Sequence, residues 1–188
     1  LEEIAKKHMN VDIAGFDCTK AMLSIAIKRL QFFNNISLSH QNVTNLDLKK
    51  SYDLAFSYGG VWYFVVDGNQ EPFLVSHLDR EDENRLGLAQ VACHVKTGGR
   101  LLLGTQGPHY KYSKTVSNGM IYSQNIEKTE SGFIKNYQLS DKSQIVMSQT
   151  INYRTYSWSS ALNLLAEQGF VTVSVTHQSE QFMVFVKA

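Results

Sequence analysis

The pattern of apolar and polar positions along the first half of the chain predicts strands and helices in alternation. Short apolar or alternating runs typical of buried strands occur at residues 11–16, 36–39, 52–57 and 100–104. Apolar residues recur at helical spacing in three other segments, residues 1–8, 19–33 and 79–96. Strands separated by helices of this length favour right-handed crossovers. We therefore expect an α/β fold with a doubly wound, mostly parallel sheet, in which the first, third and fourth runs are parallel.

The pattern changes after residue 119. Residues 119–156 show apolar positions with a period of two, which predicts antiparallel strands forming an insertion or lid beside the sheet. Residues 157–168 return to helical spacing, with Ser157 as a possible cap and Gly169 as a natural stop. Two further apolar runs, residues 171–175 and 182–186, predict a C-terminal antiparallel hairpin.

Composition narrows the class of protein. The 188 residues and a hydrophobic fraction of 43% suit a single domain spanning residues 1–188. The 18 basic and 17 acidic residues nearly cancel, which disfavours a nucleic-acid or membrane partner. Cys18 and Cys93 are far apart and have no metal-type spacing, so we expect no disulfide and no metal site. No membrane-length apolar run or signal peptide is present, and a cytoplasmic protein is expected.

Four segments, taken in order, resemble the class I S-adenosylmethionine (SAM) dependent methyltransferases. They are VDIAGFDCTKAML, SYDLAFSYGGVWYF, LAQVACHVKTGGRLLLG and YSWSSALNLLAEQGFVTV. The resemblance implies a Rossmann-like methyltransferase fold, SAM as cofactor and a small-molecule acceptor. Residues 1–8 match the helix that follows the family's glycine-rich loop, so the resemblance also implies that the first strand and that loop are missing from this sequence.

The end of the predicted strand at 11–16 carries the first candidate cofactor contact. Asp17 stands where an open α/β sheet places its ligand crevice, and a carboxylate there can accept both hydroxyls of a ribose. A helix-capping or solvated aspartate is the alternative. Cys18 and Met22 follow the same turn and would pack beside the ribose and adenine, although both residue types are more often found in the core.

Two further loops are implied in cofactor binding. Asn42 stands where the family usually has an aspartate that contacts the adenine amino group, and its amide retains an acceptor oxygen. The adjacent Val43 N–H would serve a ring nitrogen, while a turn-forming asparagine is the alternative. At the end of the run 52–57, the resemblance places the reactive sulfonium beside three residues, Ser57, Tyr58 and Gly59. Of these, Tyr58 is also a candidate catalytic residue.

The acceptor side is predicted from aromatic and histidine residues. Residues 61–76 are aromatic and irregular, and Trp62, Tyr63 and Phe64 would form a wall around the methyl donor and acceptor, or else belong to the core. Methyl transfer needs a base only if the acceptor must lose a proton. His109, in the loop after the run 100–104, is the candidate catalytic base, and His77 and Tyr153 are weaker alternatives.

Three functions are compatible with these features. The first is transfer of a methyl group from SAM to an oxygen or nitrogen of a small molecule. The second is a non-catalytic binding or scaffold domain with the same fold. The third, a nicotinamide-dependent oxidoreductase, is disfavoured because Tyr110 and Lys114 have the Tyr-x-x-x-Lys spacing but lie in a loop with no helix to hold them on one face.

Overall fold

The computed structural model describes residues 1–142, 144–174 and 181–188. The helices are α1 (Glu2–Lys7), α2 (Lys20–Leu30), α3 (Glu81–Cys93) and α4 (Trp158–Ala166), with a short 3-10 helix at Val43–Asn45. The strands of the first half are β1 (Ile13–Asp17), β2 (Ile36–His40), β3 (Tyr52–Ser57), β4 (Trp62–Val65), β5 (Phe73–Ser76) and β6 (Val95–Gln106). Those of the second half are β7 (Tyr112–Thr115), β8 (Ile121–Lys128), β9 (Gly132–Asp141), β10 (Gln144–Tyr156), β11 (Phe170–Ser174) and β12 (Phe182–Lys187).

The strands form two sheets of unequal size. β1 and β2 pair in parallel as a two-stranded sheet, with Asp17 opposite His40. The larger sheet has the order β11, β12, β6, β4, β5, β10, β9, β8, β7, and β3 pairs with β6. β3 and β6 are parallel, as predicted for the runs 52–57 and 100–104. The α/β class is therefore confirmed.

The expectation of one doubly wound, mostly parallel sheet is wrong in two respects. The run at 11–16 lies in the smaller sheet, because β1 pairs only with β2 among the described residues. The larger sheet is mostly antiparallel, because most of its neighbouring strands follow one another along the chain without a helical crossover. These neighbours are β4 and β5, β7 to β10, and β11 and β12. A direct connection between neighbouring strands reverses the chain, whereas a parallel pair needs a crossover.

Two contacts link the residues around β1 to those around the larger sheet. Lys50, just before β3, forms an ion pair with Asp12, just before β1. Near the other end of β1, Phe16 packs against the main core of the larger sheet. Leu54 and Phe56 on β3 remain exposed, and β3 has β6 as its one strand partner among the described residues. Unpaired edges of this kind can accept a further strand.

The segment 61–76, expected to be irregular, contains the antiparallel hairpin of β4 and β5. All four residues of β4 are buried, so this strand lacks the alternation that marks a half-buried strand. Its side chains divide between two faces. Trp62 and Phe64 enter the main core, while Tyr63 and Val65 enter a second apolar cluster on the other face, which also contains Val75, Phe133 and Tyr153.

The remaining predictions from the pattern are largely confirmed. Antiparallel strands β8, β9 and β10 occupy most of residues 119–156. Ser157 caps α4 by accepting the N–H of Ser160, and Gly169 ends the helix region with a φ of 80°. β11 and β12 form the predicted hairpin, although Val175 lies outside the described residues. Within the described parts of the chain, none of the helices is long and apolar enough to cross a membrane.

Candidate functional site

Asp17 ends β1 and holds the turn into α2. One carboxylate oxygen accepts the N–H of Thr19 at 2.7 Å, so the capping alternative describes part of its role. Among the described residues the second oxygen has no hydrogen-bond partner from a side chain or the backbone. The turn is held further by His40, whose Nε2 lies 3.0 Å from the carbonyl oxygen of Cys18. One carboxylate oxygen is thus available for a ligand at the carboxyl end of the smaller sheet.

The two apolar or sulfur-containing residues predicted beside Asp17 are on the surface. Cys18 is exposed, and so is Met22 in the first turns of α2. The alternative that these residues belong to the core is therefore wrong. Exposed thiol and thioether groups beside a partly exposed carboxylate provide an apolar surface that a planar ligand can cover.

Asn42 is engaged within its own loop. Its amide oxygen accepts both the N–H and the hydroxyl of Thr44, each at 3.0 Å, and caps the 3-10 helix. Val43, the next residue, is buried in the main core. The turn-forming alternative therefore accounts for the observed contacts of Asn42, and adenine binding by this residue stays a prediction.

The loop after β3 bends sharply. Ser57 donates its hydroxyl hydrogen to the carbonyl of Trp62 at 3.1 Å, which closes the loop. Gly59 has a φ of +64°, and a Cβ atom there would have no neighbour within 4 Å, so the backbone faces open space. Tyr58 is exposed, with its ring centroid 5.6 Å from that of Phe182. The three residues predicted to lie near the cofactor's sulfonium thus line an accessible loop.

The aromatic wall predicted from Trp62, Tyr63 and Phe64 does not form as one surface. The alternation of β4 directs Trp62 into the main core, where its indole N–H donates to the Asn84 side chain at 2.8 Å. Phe64 lies on the same side and packs against Trp158. Tyr63 alone points to the opposite face, where it meets His109.

A buried polar cluster surrounds His109, and we call His109, Tyr63 and Lys135 the His109 cluster. The hydroxyl oxygen of Tyr63 lies 3.0 Å from Nε2 of His109, and Nζ of Lys135 lies 2.6 Å from Nδ1. Both ring nitrogens of His109 are therefore hydrogen-bonded. Lys135 is only 4% exposed, and it forms no ion pair with any described residue.

Aromatic rings enclose the His109 cluster. Phe133 and Tyr153 stack with centroids 4.9 Å apart, and Nζ of Lys135 lies 5.8 and 5.3 Å from their respective centroids. His77 meets Tyr153 edge to face at 4.7 Å, and the hydroxyl oxygens of Tyr153 and Tyr137 are 3.1 Å apart. The weaker candidates His77 and Tyr153 thus belong to the same assembly as His109.

Burial shifts the protonation equilibria of this assembly. The pKa of His109 is lowered to about 4, first by burial and then by the positive charges of Lys135 and His77. Burial lowers the pKa of Lys135 to about 8, and burial together with Lys135 lowers the pKa of His77. Burial raises the pKa of both Tyr63 and Tyr153. At neutral pH, His109 is therefore neutral and Lys135 is mostly an ammonium ion.

His109 also borders a cleft of about 450 Å³. The cleft is lined by Pro108, His109, Tyr110, Tyr112, Lys114 and Gln124. Gln124 on β8 donates to the carbonyl of Tyr110 at 2.9 Å and so holds the loop against the antiparallel strands. Lys114 lies on β7, so no helix aligns it with Tyr110 as an oxidoreductase pair would require. The described residues contain no cluster of His, Cys, Asp or Glu side chains suited to a metal ion.

Lys135 is the charged residue of this assembly that was not predicted from the sequence. The sequence does carry a sign of its burial. Lys135 stands two residues from both Phe133 and Tyr137 along β9, and alternate residues of a strand lie on the same face. A lysine on an otherwise aromatic face of a strand indicates a buried charge, which requires an explanation.

The three-dimensional arrangement matches solved methyltransferase structures. The CcbJ methyltransferase of Streptomyces caelestis aligns with a TM-score of 0.66 at 11% identity, over 96% of this chain and 81% of that one. A SAM-dependent methyltransferase of Clostridium acetobutylicum aligns with a TM-score of 0.62 at 10% identity, over 98% and 86%. CalS10, an amino pentose methyltransferase of Micromonospora echinaspora, gives 0.60 at 15% identity, over 100% and 88%.

These likenesses show the class of fold. The chain has the fold of SAM-dependent small-molecule methyltransferases, so the resemblance seen in its four sequence segments is confirmed at the level of the fold. No family model and no curated protein matches the chain.

Proposed function

We propose that this protein transfers a methyl group from SAM to an oxygen or nitrogen of a small-molecule acceptor. The observation that carries the proposal is a methyltransferase fold in which Asp17 ends β1 and the loop 57–59 follows β3. Open α/β sheets bind ligands outside the carboxyl ends of their parallel strands. His109 follows β6, which runs parallel to β3, so its loop leaves the larger sheet at the same end as the loop after β3.

The residues at the ends of these strands suit the chemical groups of SAM. The unpaired oxygen of Asp17 would accept a hydrogen bond from a ribose hydroxyl, and Cys18 and Met22 would cover the ribose and adenine. The open backbone at Gly59 would permit close approach of the cofactor beside Ser57 and Tyr58. Asn42 and Val43 would contact the adenine from their loop, which is held by the hydrogen bond from the Thr44 N–H to the Asn42 amide oxygen.

SAM supplies a methyl group that is already activated by its bond to a sulfonium. Methyl transfer to an acceptor that starts as a neutral O–H or a protonated amine would also require that acceptor to lose a proton. The chain's task is to orient the acceptor, exclude water and take up that proton. We assign the last task to His109, which lines the cleft, and assign orientation to Tyr58 and the cleft residues.

A small acceptor is supported by the dimensions and composition of the cleft. A volume of about 450 Å³ lies within the range of small-molecule sites. Tyrosine rings and the Gln124 amide provide flat apolar surfaces with a few polar groups, as organic ligands require. Because CalS10 is described as an amino pentose methyltransferase, amino sugars form a reasonable first panel of acceptors.

A non-catalytic domain with the same fold is the second candidate function. One observation favours it: the amide oxygen of Asn42 is already occupied by the N–H and the hydroxyl of Thr44. An adenine site without a free acceptor at this position would bind SAM more weakly.

Calorimetric titration of the full chain with SAM and with S-adenosylhomocysteine tests the proposal. Micromolar binding of both, followed by transfer of labelled methyl to a member of an amine and hydroxyl acceptor panel, is the expected result. A folded full-length protein that binds neither compound would favour the scaffold function. Titration with a nicotinamide dinucleotide serves as the matched negative control.

A further inference from the structure

Three residues from three different elements form a continuous hydrogen-bonded chain. Tyr63 on β4 contacts Nε2 of His109, and Lys135 on β9 contacts Nδ1 of the same ring. A neutral imidazole carries one proton, so one ring nitrogen donates and the other accepts. The protonation state of Lys135 therefore selects the tautomer of His109.

The two protonation states of Lys135 have opposite consequences at Nε2. When Lys135 is an ammonium ion, it must donate to Nδ1, and the ring proton lies on Nε2, directed at Tyr63. His109 then cannot accept a proton at Nε2. When Lys135 is a neutral amine, Nδ1 can carry the proton and donate to Nζ, which leaves a lone pair on Nε2.

This arrangement also explains how a weakly basic histidine could serve in catalysis. Burial and two neighbouring cations lower the pKa of His109 to about 4, which makes an isolated imidazole a poor base near neutral pH. The pKa of Lys135 is also lowered, to about 8, by burial alone. The pair as a unit thus accepts a proton at a pH much closer to neutrality than His109 does by itself.

We propose that Lys135 is a positioning residue that makes His109 a relay, so that a proton taken up at Nε2 is matched by transfer of the Nδ1 proton to Lys135. This inference rests on the proposed methyl transfer. The Tyr63 hydroxyl, whose oxygen lies 3.0 Å from Nε2, passes its proton to Nε2 and takes up the acceptor's proton in exchange. The Nδ1 proton moves to Nζ, which becomes an ammonium ion and later releases one proton to water. No oxidant, reductant or further reactant is needed.

The groups facing Lys135 support a neutral amine as an accessible state. On its own strand β9, Phe133 and Tyr137 share its face; Tyr153 lies against it from β10, His109 from the loop after β6, and His77 lies beyond these. None of these residues carries a carboxylate. A buried amine without a carboxylate loses its proton more readily than a paired one.

Long-range proton–nitrogen NMR of the imidazole rings tests the relay without any cofactor or acceptor. In the uniformly nitrogen-15 labelled full chain, His109 is assigned by loss of its signals in His109→Gln. Between pH 6 and 10 we expect the protonated ring nitrogen to change from Nε2 to Nδ1, with a midpoint of about 8.

Two variants separate the relay from a structural role for Lys135. Lys135→Arg keeps a donor to Nδ1 but stays charged, so Nε2 should remain protonated throughout the range. Lys135→Met removes the group and should abolish the switch. Circular dichroism establishes that each variant is folded. An unchanged tautomer in the parent chain, or the same switch in a folded Lys135→Met variant, would overturn the proposal.

Activity measurements then distinguish this inference from the proposed function. If an acceptor is methylated, kcat should rise with pH through about 8 in the parent chain, and both variants should lose roughly 100-fold or more in kcat with little change in KM. Rescue by arginine would identify a structural or electrostatic role and contradict the relay. If the tautomer of His109 switches in a protein that binds no SAM, the relay geometry is supported and only the proposed methyl transfer is contradicted.

Discussion

Nζ of Lys135 lies 2.6 Å from Nδ1 of His109, which is 26 residues earlier in the chain. The contact joins β9 of the antiparallel region to the loop that leaves β6, the strand paired in parallel with β3. The region 119–156 was expected to act as an insertion or lid, and through this contact it also supplies one side chain of the His109 cluster. Its inner face supplies the only buried cation that the described residues place beside the candidate base.

Stability should depend on pH through His109. Its pKa in the folded protein is lowered to about 4, so between its ordinary value and about 4 the unfolded chain binds more protons than the folded one. Unfolding free energy should therefore fall as the pH is reduced through this window, by up to roughly 3 kcal/mol for this group. Urea unfolding at pH 4 to 7 should show a shallower fall in His109→Gln. His8→Gln, at an exposed position, is the matched control, and equal slopes in all three proteins would refute the prediction.

Asp17→Ala should weaken SAM binding by roughly tenfold to a few hundredfold, because it removes charge-assisted hydrogen bonds to ribose. Asn42→Ala should cost less, since it removes at most one neutral bond to the adenine. Asp12→Ala provides the control, because Asp12 lies at the opposite end of the same strand in an exposed ion pair with Lys50. Calorimetry on folded variants measures the order, and equal affinity in Asp17→Ala and the parent would remove Asp17 from the site.

Phe64→Ala should destabilise the protein by about 3 to 5 kcal/mol. The Phe64 ring is 0% exposed, stacks on Phe185 at 6.0 Å and meets Trp158 at 5.6 Å, so its removal leaves a cavity at the centre of the main core. Phe32, which is 83% exposed, supplies the same substitution at the surface, where the expected change is within about 0.5 kcal/mol. Chemical unfolding measures the stability of both variants, and equal losses of unfolding free energy would contradict the assignment of Phe64 to the core.

Gly132→Ala should force β9 and β10 apart. A Cβ atom at Gly132 would lie 2.1 Å from the carbonyl oxygen of Tyr153, which is backbone and cannot rotate away. We expect a loss of about 1 to 3 kcal/mol and a displaced Tyr153 ring, visible as changed near-ultraviolet circular dichroism. Gly107→Ala, where the new Cβ atom would have no neighbour within 4 Å, should leave both measurements unchanged. Retention of the parent spectrum and stability by Gly132→Ala would show that the two strands are not in this register.

Local patterns in the sequence were sufficient to predict most elements and several residues at their ends. Helical spacing located α2, α3 and α4, a period of two located β8 to β10, and Ser157 and Gly169 marked the ends of α4. These features depend on neighbours within a few residues, which is the range over which spacing and caps act. The four segments that resemble the methyltransferases likewise lie within such elements, and their order was enough to predict the fold class.

Only the tertiary structure decided which strands pair and which side chains meet. The hairpin of β4 and β5 was missed because burial on both faces removes the alternation that marks a strand. The separation of β1 from the larger sheet depends on partners far apart in the chain, and so does the contact of Lys135 with His109. Sequence spacing identifies which face of a strand a residue occupies, but the group opposite that face is chosen by packing between distant elements. For that reason His109 could be proposed from the sequence and the pattern of β9 marks Lys135 as buried, but only the structure shows that the two side chains meet.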